Sequence, residues 1–192
     1  MSKDDINHWE QKYSGDGYEP NRSPSALLTE WLDDRPPGSA LDLACGTGRN
    51  ALYLAGKGYA VSAIDSSPRA IGLAEQAARK EGLKINWIVA DLDDYAIREQ
   101  YDLIVISFFY PDRNLVPSIV NALKKGGILL YENNMLSPSA AEEEARKHRF
   151  HLKPGELPQI FKELKVIRYE ERRVDAEGGL SSYLASLVAQ KE

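Results

Sequence analysis

Cysteine is almost absent from this chain of 192 residues, in which Cys45 stands alone. A single thiol cannot form an intrachain disulfide, so a reducing compartment is the expected environment. The opening stretch MSKDDINHWE is polar and lacks the apolar segment of a secretory signal. These two absences predict a cytoplasmic protein.

Positive charge is also in short supply, with 24 Lys and Arg against 29 Asp and Glu and a formal net charge of −5. Phosphate contacts need a cationic face, so a nucleic-acid partner is not expected. The most apolar run, residues 103–110, is far too short to span a bilayer, so no membrane partner is expected either. A small-molecule substrate remains.

Metal ligands are equally sparse, since the chain has only three histidines. His148 and His151 lie three residues apart, but no Cys or Glu accompanies them at metal-ligand spacing, so no metal site is predicted. Cys45 comes just before a predicted helix start and could act as a nucleophile, but no base pairs with it in the sequence. Packing within the turn is the expected role of this thiol.

Strands and helices alternate along most of the chain. We expect one domain over 1–192, with an N-terminal lid and helix at 1–37 and a core at 38–192. The alternation predicts a doubly wound, mostly parallel α/β sheet, and Gly178-Gly179 predicts a C-terminal antiparallel hairpin. The expected strands are 40–44, 60–64, 85–89, 101–108, 128–132, 166–171 and 183–188. The expected helices are 23–35, a segment through 52 and 54, 67–82, 115–123, 140–148 and 156–164.

The segment Asp42-Leu-Ala-Cys-Gly-Thr-Gly48 carries the clearest chemical signal. Gly46 and Gly48 let the backbone approach a ligand, and the following helix offers free N–H groups. Gly46-x-Gly48-x-x-Ala51 also matches the dinucleotide fingerprint, which is weak evidence alone. Asp42 opposes a nearby phosphate but accepts hydrogen bonds from an ammonium or hydroxyl group.

Two further carboxylates follow the next predicted strands. Asp65 ends the second strand and can accept both hydroxyls of a ribose. Asp91 ends the third strand, where it can accept from an adenine amino group while Leu92 covers the ring. Carboxyl ends of parallel strands meet at one edge of the sheet, so Asp42, Asp65 and Asp91 predict a nucleoside site there.

This set of residues resembles the cofactor site of class I S-adenosylmethionine-dependent methyltransferases over roughly residues 40–132. The stretch CGTGRNALYLA at 45–55, together with Asp65, is similar to the tellurite-resistance (TehB-like) small-molecule subgroup, as is 151–156. Ala44 stands where this family often has glycine. The resemblance implies a seven-stranded Rossmann-like sheet whose last strand is antiparallel. It also implies S-adenosylmethionine as cofactor and S-adenosylhomocysteine as product.

The resemblance also implies individual roles at the site. Asp42 would lie near the methionine amine, Asp65 on the ribose and Asp91 near adenine. The other expected cofactor contacts belong to the glycine loop, the strand ends and an aromatic N-terminal lid: Ala44, Gly46, Gly48, Arg49, Asn50, Ser66, Leu92, Ser107, Trp9 and Tyr13.

The methyl acceptor is expected beside the ends of the fourth and fifth strands. Its candidate contacts are Tyr18, Phe108, Phe109, Asn133, Asn134, Arg146 and His151. Tyr110 is the candidate for proton transfer, which is needed only if the nucleophile arrives protonated. The aromatic run 108–110 is equally compatible with a place in the core.

The predicted function is methyl transfer from S-adenosylmethionine to a small soluble acceptor. Cationic and imidazole side chains at 49, 146, 148, 149, 151 and 173 favour an anion or oxyanion. Two alternatives stay open: a short NAD(P)-dependent oxidoreductase, and a non-enzymatic module that binds S-adenosylmethionine. Asp42, Asp91 and the closing hairpin speak against the first, and the sequence does not exclude the second.

Overall fold

The computed structural model describes residues 3–15, 17–32, 35–140, 147–148, 150–175 and 181–192. The strands are β1 Ser39–Leu43, β2 Ala60–Asp65, β3 Ile85–Val89, β4 Tyr101–Ser107, β5 Leu123–Met135, β6 Lys165–Asp175 and β7 Ser181–Gln190. The helices are α1 Lys3–Ser14, α2 Ala26–Leu32, α3 Arg49–Gly56, α4 Pro68–Glu81, α5 Val116–Asn121 and α6 Glu156–Ile160.

All seven strands join one sheet in the order β3-β2-β1-β4-β5-β7-β6. β1 to β5 pair in parallel, whereas β7 runs antiparallel to both β5 and β6. The predicted fold class is therefore confirmed, including the C-terminal antiparallel hairpin. The chain builds outward from β1 to β3 and then crosses to β4, so strand order reverses between β1 and β4. A crevice opens at the carboxyl ends of the strands at such a reversal.

Both faces of the sheet are buried, as the apolar strands predict. Successive side chains of a strand point to opposite faces, so β1 contributes to two cores. Leu41 and Leu43 join the core that includes α5 and α6. Ala40 joins the core that includes Leu28 of α2 and Leu54 of α3. This three-layer packing holds the carboxyl ends of β1, β2 and β4 rigidly beside one another.

Helix starts follow local capping chemistry, with one difference from the prediction. The Ser67 hydroxyl accepts the Ala70 N–H at 3.0 Å and Gly82 ends α4 in the left-handed region, as predicted. The first core helix begins at Ala26, because the Ser25 hydroxyl, rather than that of Ser23, accepts the Leu28 N–H at 3.4 Å.

Other predicted ends of helices and strands differ from those in the structure. The N-terminal lid contains a helix, α1, that was not among the expected helices. The helix expected over 115–123 ends at Asn121, because Leu123 pairs with Tyr101 and opens a β5 longer than 128–132. The helix expected over 156–164 ends at Ile160. Most of the helix expected over 140–148 lies outside the described residues. None of the helices in the described part of the chain is long and apolar enough to cross a bilayer.

Candidate functional site

A cavity of about 450 Å³ lies at the carboxyl ends of β1, β2 and β4. Its volume is within the range of roughly 300–1,000 Å³ that is typical of small-molecule sites. The glycine loop after β1 forms its floor, the ends of β2 and β4 form two walls, and α1 lies over it. The structure thus brings most of the predicted cofactor residues to one place.

The glycine loop owes its shape to three residues with positive φ. Gly46 has φ 54°, Gly48 has φ 81° and Ala44 has φ 55°. A residue other than glycine is destabilised by roughly 1–2 kcal/mol in this left-handed conformation, so glycine would be the less strained residue at position 44. Ala44 lines the cavity, so the strain lies at the site itself.

A Cβ on each of the two loop glycines would collide with different neighbours. A Cβ on Gly46 would come within 2.9 Å of the Tyr13 hydroxyl, on the cavity side. A Cβ on Gly48 would come within 2.7 Å of Trp87 and 2.9 Å of Ala74, inside the protein. Gly46 therefore keeps the cavity open, whereas Gly48, which does not line it, allows α3 to pack closely on β3 and α4.

We expect Gly48→Ala to lower the free energy of unfolding by about 2 kcal/mol, because overpacking adds to the strain of a positive φ. Urea denaturation measures this change. Gly72→Ala is the matched control: Gly72 lies within α4 and its new methyl would meet nothing within 4 Å. That variant should be more stable by about 0.5–1 kcal/mol. Equal stability of the two variants would contradict the packing role of Gly48.

Asp65 is the carboxylate that reaches the cavity. It ends β2, is only 7% exposed, and lines the cavity. Its two oxygens accept the N–H of Gly46 at 2.7 Å and of Ser67 at 2.9 Å. Burial raises the pKa of Asp65 above its ordinary value, and these amide hydrogen bonds oppose the rise. Each oxygen retains acceptor capacity for a ligand hydroxyl.

Asp42 lies beneath the loop rather than on the cavity wall. Its carboxylate is 1% exposed and accepts the Ala51 N–H at 3.0 Å, within the first turn of α3. Burial raises the pKa of Asp42 from its ordinary value of 3.8 to about 7. Asp42 therefore ties β1 to the start of α3, where it stabilises a free helix amide.

Asp91 also does not line the cavity, although its neighbour Leu92 does. The Asp91 carboxylate accepts the Asp93 N–H at 3.1 Å and so shapes the turn that follows β3. Leu92 is buried and presents an apolar surface to the cavity, as predicted for a residue that covers a ring.

An aromatic lid of Trp9, Tyr13 and Tyr18 lies over the cavity. Trp9 stacks on Tyr13 with ring centroids 6.0 Å apart, and Tyr13 meets Tyr18 edge-on at 5.4 Å. The Glu10 carboxylate accepts hydrogen bonds from the Ser67 hydroxyl and, at 3.3 Å, from the Arg69 N–H. Glu10 thus links α1 to the start of α4 through these hydrogen bonds. Burial raises the pKa of Tyr13.

The end of β4 forms the opposite wall. Ser107, Phe108 and Phe109 line the cavity, and Phe108 does so with φ 58° and 44% of its surface exposed. An exposed aromatic residue in a strained conformation is typical of a binding surface. The Arg49 guanidinium lies 5.4 Å from the Phe108 ring and 3.8 Å from the Glu132 carboxylate.

Several predicted site residues do not line the cavity. The Tyr110 hydroxyl donates to Glu156 at 2.9 Å, in a cluster that binds the loop after β4 to α6, and burial raises its pKa. Asn50 accepts the Ser25 N–H at 2.9 Å through its side-chain oxygen.

The residues predicted after β5 anchor a neighbouring segment. Asn133 donates to the Phe150 carbonyl at 3.0 Å, and the Asn134 carbonyl accepts the Leu152 N–H at 2.9 Å. His151 stacks on His148 with ring centroids 4.6 Å apart. Arg146, like Arg149, lies outside the described residues. Within the described part of the chain, no three His, Cys, Asp or Glu side chains are grouped to hold a metal ion.

The sequence interpretation missed five residues near the site. Lys12, Asn21, Cys45 and Thr47 line the cavity, although Cys45 was expected only to pack within the turn, and Glu132 of β5, only 4% exposed, lies behind the wall. The sequence did contain a signal for Glu132: it ends the apolar run ILLYE, just as Asp65 ends the apolar strand β2.

The cavity fits S-adenosylmethionine. The Asp65 carboxylate on the wall can accept hydrogen bonds from hydroxyl groups, and Leu92 offers an apolar surface to a ring. Gly46 leaves open the space that a Cβ would fill. Lys12 and Arg49 are the cationic side chains among the described lining residues.

Comparisons with known proteins identify the family of the chain. Residues 9–178 match the sequence profile of the tellurite resistance protein TehB family. The probable S-adenosyl-L-methionine-dependent methyltransferase TehB of Haemophilus influenzae is 28% identical over 166 residues, which are 81% of this chain and 58% of that protein. The chain thus spans little more than half the length of that relative.

Solved structures share the fold. The crystal structure of TehB from Haemophilus influenzae superposes with a TM-score of 0.75 at 22% identity, over 97% of this chain and 67% of that one. The N-methyltransferase NodS of Bradyrhizobium japonicum, in complex with S-adenosylhomocysteine, gives 0.73 at 21% identity, over 97% and 98%. The chain therefore belongs to the TehB family of class I S-adenosylmethionine-dependent methyltransferases.

Proposed function

We propose that this chain transfers a methyl group from S-adenosylmethionine to a small acceptor. The observation that carries the proposal is Asp65, a buried carboxylate that faces the cavity beside the glycine loop while it accepts the Gly46 N–H. An acidic group in this position suits the hydroxyls of a ribose and repels a phosphate. Family membership supports the same cofactor.

The residues of the chain would act mainly by binding and alignment. Asp65 accepts from the ribose hydroxyls, Leu92 covers the adenine, and Trp9 and Tyr13 close over the cavity to exclude water. When bound, S-adenosylmethionine supplies an electrophilic methyl group on a sulfonium centre. Phe108 and Ser107 then line the place where the acceptor approaches.

We further propose that the acceptor is a small anion, with an oxyanion as one candidate class. Arg49 and Lys12 are the cationic side chains on the described cavity wall. The tellurite-resistance name of the family supports an oxyanion as well. The protein would act as one domain in the cytoplasm, where the buried thiol of Cys45 stays reduced.

A nicotinamide-dependent oxidoreductase is the alternative that the hydrogen bonds oppose. A dinucleotide site offers the amides of the glycine loop and the helix start to a pyrophosphate. Here Asp65 takes the Gly46 N–H and Asp42 takes the Ala51 N–H. Two carboxyl groups thus occupy donors that a pyrophosphate would need.

Calorimetry tests the cofactor class. We expect S-adenosylhomocysteine to bind and NAD and NADP not to bind; the reverse result would contradict the proposal. A screen of small acceptors with methyl-labelled S-adenosylmethionine then separates an enzyme from a non-enzymatic binding module. Labelled product identifies an enzyme and its acceptor, whereas binding without product from any acceptor favours the module.

A further inference from the structure

A chain of hydrogen bonds runs behind the cavity wall, from the start of α2 to the end of β5. The Ser25 N–H donates to the Asn50 side-chain oxygen at 2.9 Å, and the Asn50 side-chain amide donates to the Ser107 hydroxyl at 3.2 Å. The Ser107 hydroxyl in turn donates to the Glu132 carboxylate at 3.3 Å. Of these four residues, Ser107 is the one that lines the cavity.

The chemistry of the end groups sets the direction of this chain. Only the oxygen of the Asn50 side chain can accept the Ser25 N–H, so its NH₂ group faces Ser107. An ionised carboxylate only accepts, so the Ser107 hydrogen points to Glu132 and away from the cavity. The Ser107 oxygen has two lone pairs; Asn50 occupies one, and the other remains for the cavity.

Burial of a carboxylate at this place lowers the folding stability unless hydrogen bonds or a nearby cation compensate for the lost hydration. Glu132 is 4% exposed, and its cationic neighbour Arg49 lies 3.8 Å away, beyond hydrogen-bond distance. An apolar residue of similar size would commonly be as stable or more so.

We propose that Glu132 is a positioning residue that makes Ser107 a hydrogen-bond acceptor toward the cavity. The site thereby selects methyl acceptors that carry an O–H, N–H or S–H group at the reacting atom. When methyl replaces that hydrogen, the proton passes to the Ser107 oxygen while the Ser107 hydrogen moves to the Glu132 carboxylate, and the sulfonium of the cofactor is left as the thioether of S-adenosylhomocysteine. The methylated product lacks the contact with Ser107 and leaves more readily. The inference rests on the proposed methyl transfer, because it assigns the Ser107 side of the cavity to the acceptor.

The test uses a matched pair of probes, mercaptoacetate and (methylthio)acetate, which differ by replacement of S–H with S–CH₃. Binding of each is measured by calorimetry to the protein saturated with S-adenosylhomocysteine. The measured quantity is the affinity for mercaptoacetate divided by the affinity for (methylthio)acetate. We expect this preference to be about five times larger in the wild type than in Ser107→Ala, because the variant lacks one hydrogen bond. Glu132→Met should lower the preference to the Ser107→Ala level. Glu132→Gln should keep it, because its amide oxygen can still accept from Ser107.

Ser186→Ala is the structural control. Ser186 lies opposite Glu132 in the β5–β7 ladder and is similarly buried, so its loss disturbs the same layer and should leave the preference unchanged. Equal preferences in the wild type and Ser107→Ala overturn the inference, and this comparison decides it even if Glu132→Met does not fold. Failure of the wild type to bind S-adenosylhomocysteine would instead contradict the proposed function.

Discussion

Asp65→Asn should weaken the binding of S-adenosylhomocysteine by about a hundredfold or more. The substitution keeps the size of the side chain but replaces one carboxylate oxygen with an NH₂ group and removes the charge. Hydrogen bonds to a charged acceptor contribute roughly 1.5–3 kcal/mol each, and a ribose would make two of them. Isothermal calorimetry gives the affinity directly.

The same substitution also disturbs the loop, so stability must be measured beside affinity. The Asp65 oxygens accept the Gly46 and Ser67 amides, and an NH₂ group would face one of these donors. Asp102→Asn is the matched control, because Asp102 lies at the opposite end of the sheet, where it accepts from Ser39 and Lys124. It should lose some stability and no affinity. Unchanged affinity in a folded Asp65→Asn protein would remove Asp65 from the cofactor site.

Asp42→Asn should abolish a large pH dependence of stability. Burial raises the pKa of Asp42 from 3.8 to about 7 in the folded protein. Because the pKa is higher in the folded than in the unfolded state, the contribution of Asp42 to folding stability is fully present below about pH 4. This contribution is lost as pH rises through 7. This difference corresponds to about 4 kcal/mol in the free energy of unfolding.

Urea denaturation between pH 4 and 8 measures this effect as the difference between the wild type and Asp42→Asn. The asparagine oxygen can still accept the Ala51 N–H, so the variant should gain stability over the wild type as pH rises. Asp102→Asn again serves as control. The hydrogen bond with Lys124, then that from the Ser39 amide, lowers the pKa of Asp102 to about 2. Its contribution is lost only below about pH 4, so its difference from the wild type should stay flat in this window. A flat difference for Asp42→Asn as well would show that Asp42 titrates normally.

The parts of the site that follow a strand end directly were predictable from sequence. Asp65, Ser66 and Ser107 line the cavity because the carboxyl ends of β2 and β4 meet beside the glycine loop. The alternating pattern predicted parallel strands, and the carboxyl ends of parallel strands meet at one edge of the sheet.

The hydrogen-bond partners of other predicted site residues could not be assigned in this way. Tyr110 was predicted to reach the acceptor, but its hydroxyl meets Glu156 of α6, which is distant in the sequence. Asn133 was predicted to face the acceptor, yet its amide holds the Phe150 carbonyl. The orientation of a side chain depends on which donors and acceptors surround it, and those came from segments whose positions only packing determines.

The sequence by itself determined the order of strands and helices along the chain and the edge of the sheet where the site lies, because these follow from periodicity, capping and the glycine loop. The family followed from the resemblance of residues 40–132 to a known cofactor site. Only the tertiary structure decided which groups each of the three carboxylates contacts. Asp65 faces the cavity, Asp42 accepts an amide at the start of α3, and Glu132 accepts the Ser107 hydroxyl. The reason is that a buried carboxylate is stabilised by whichever N–H or O–H groups the fold brings within 3 Å or so, and that neighbourhood joins residues far apart in the chain.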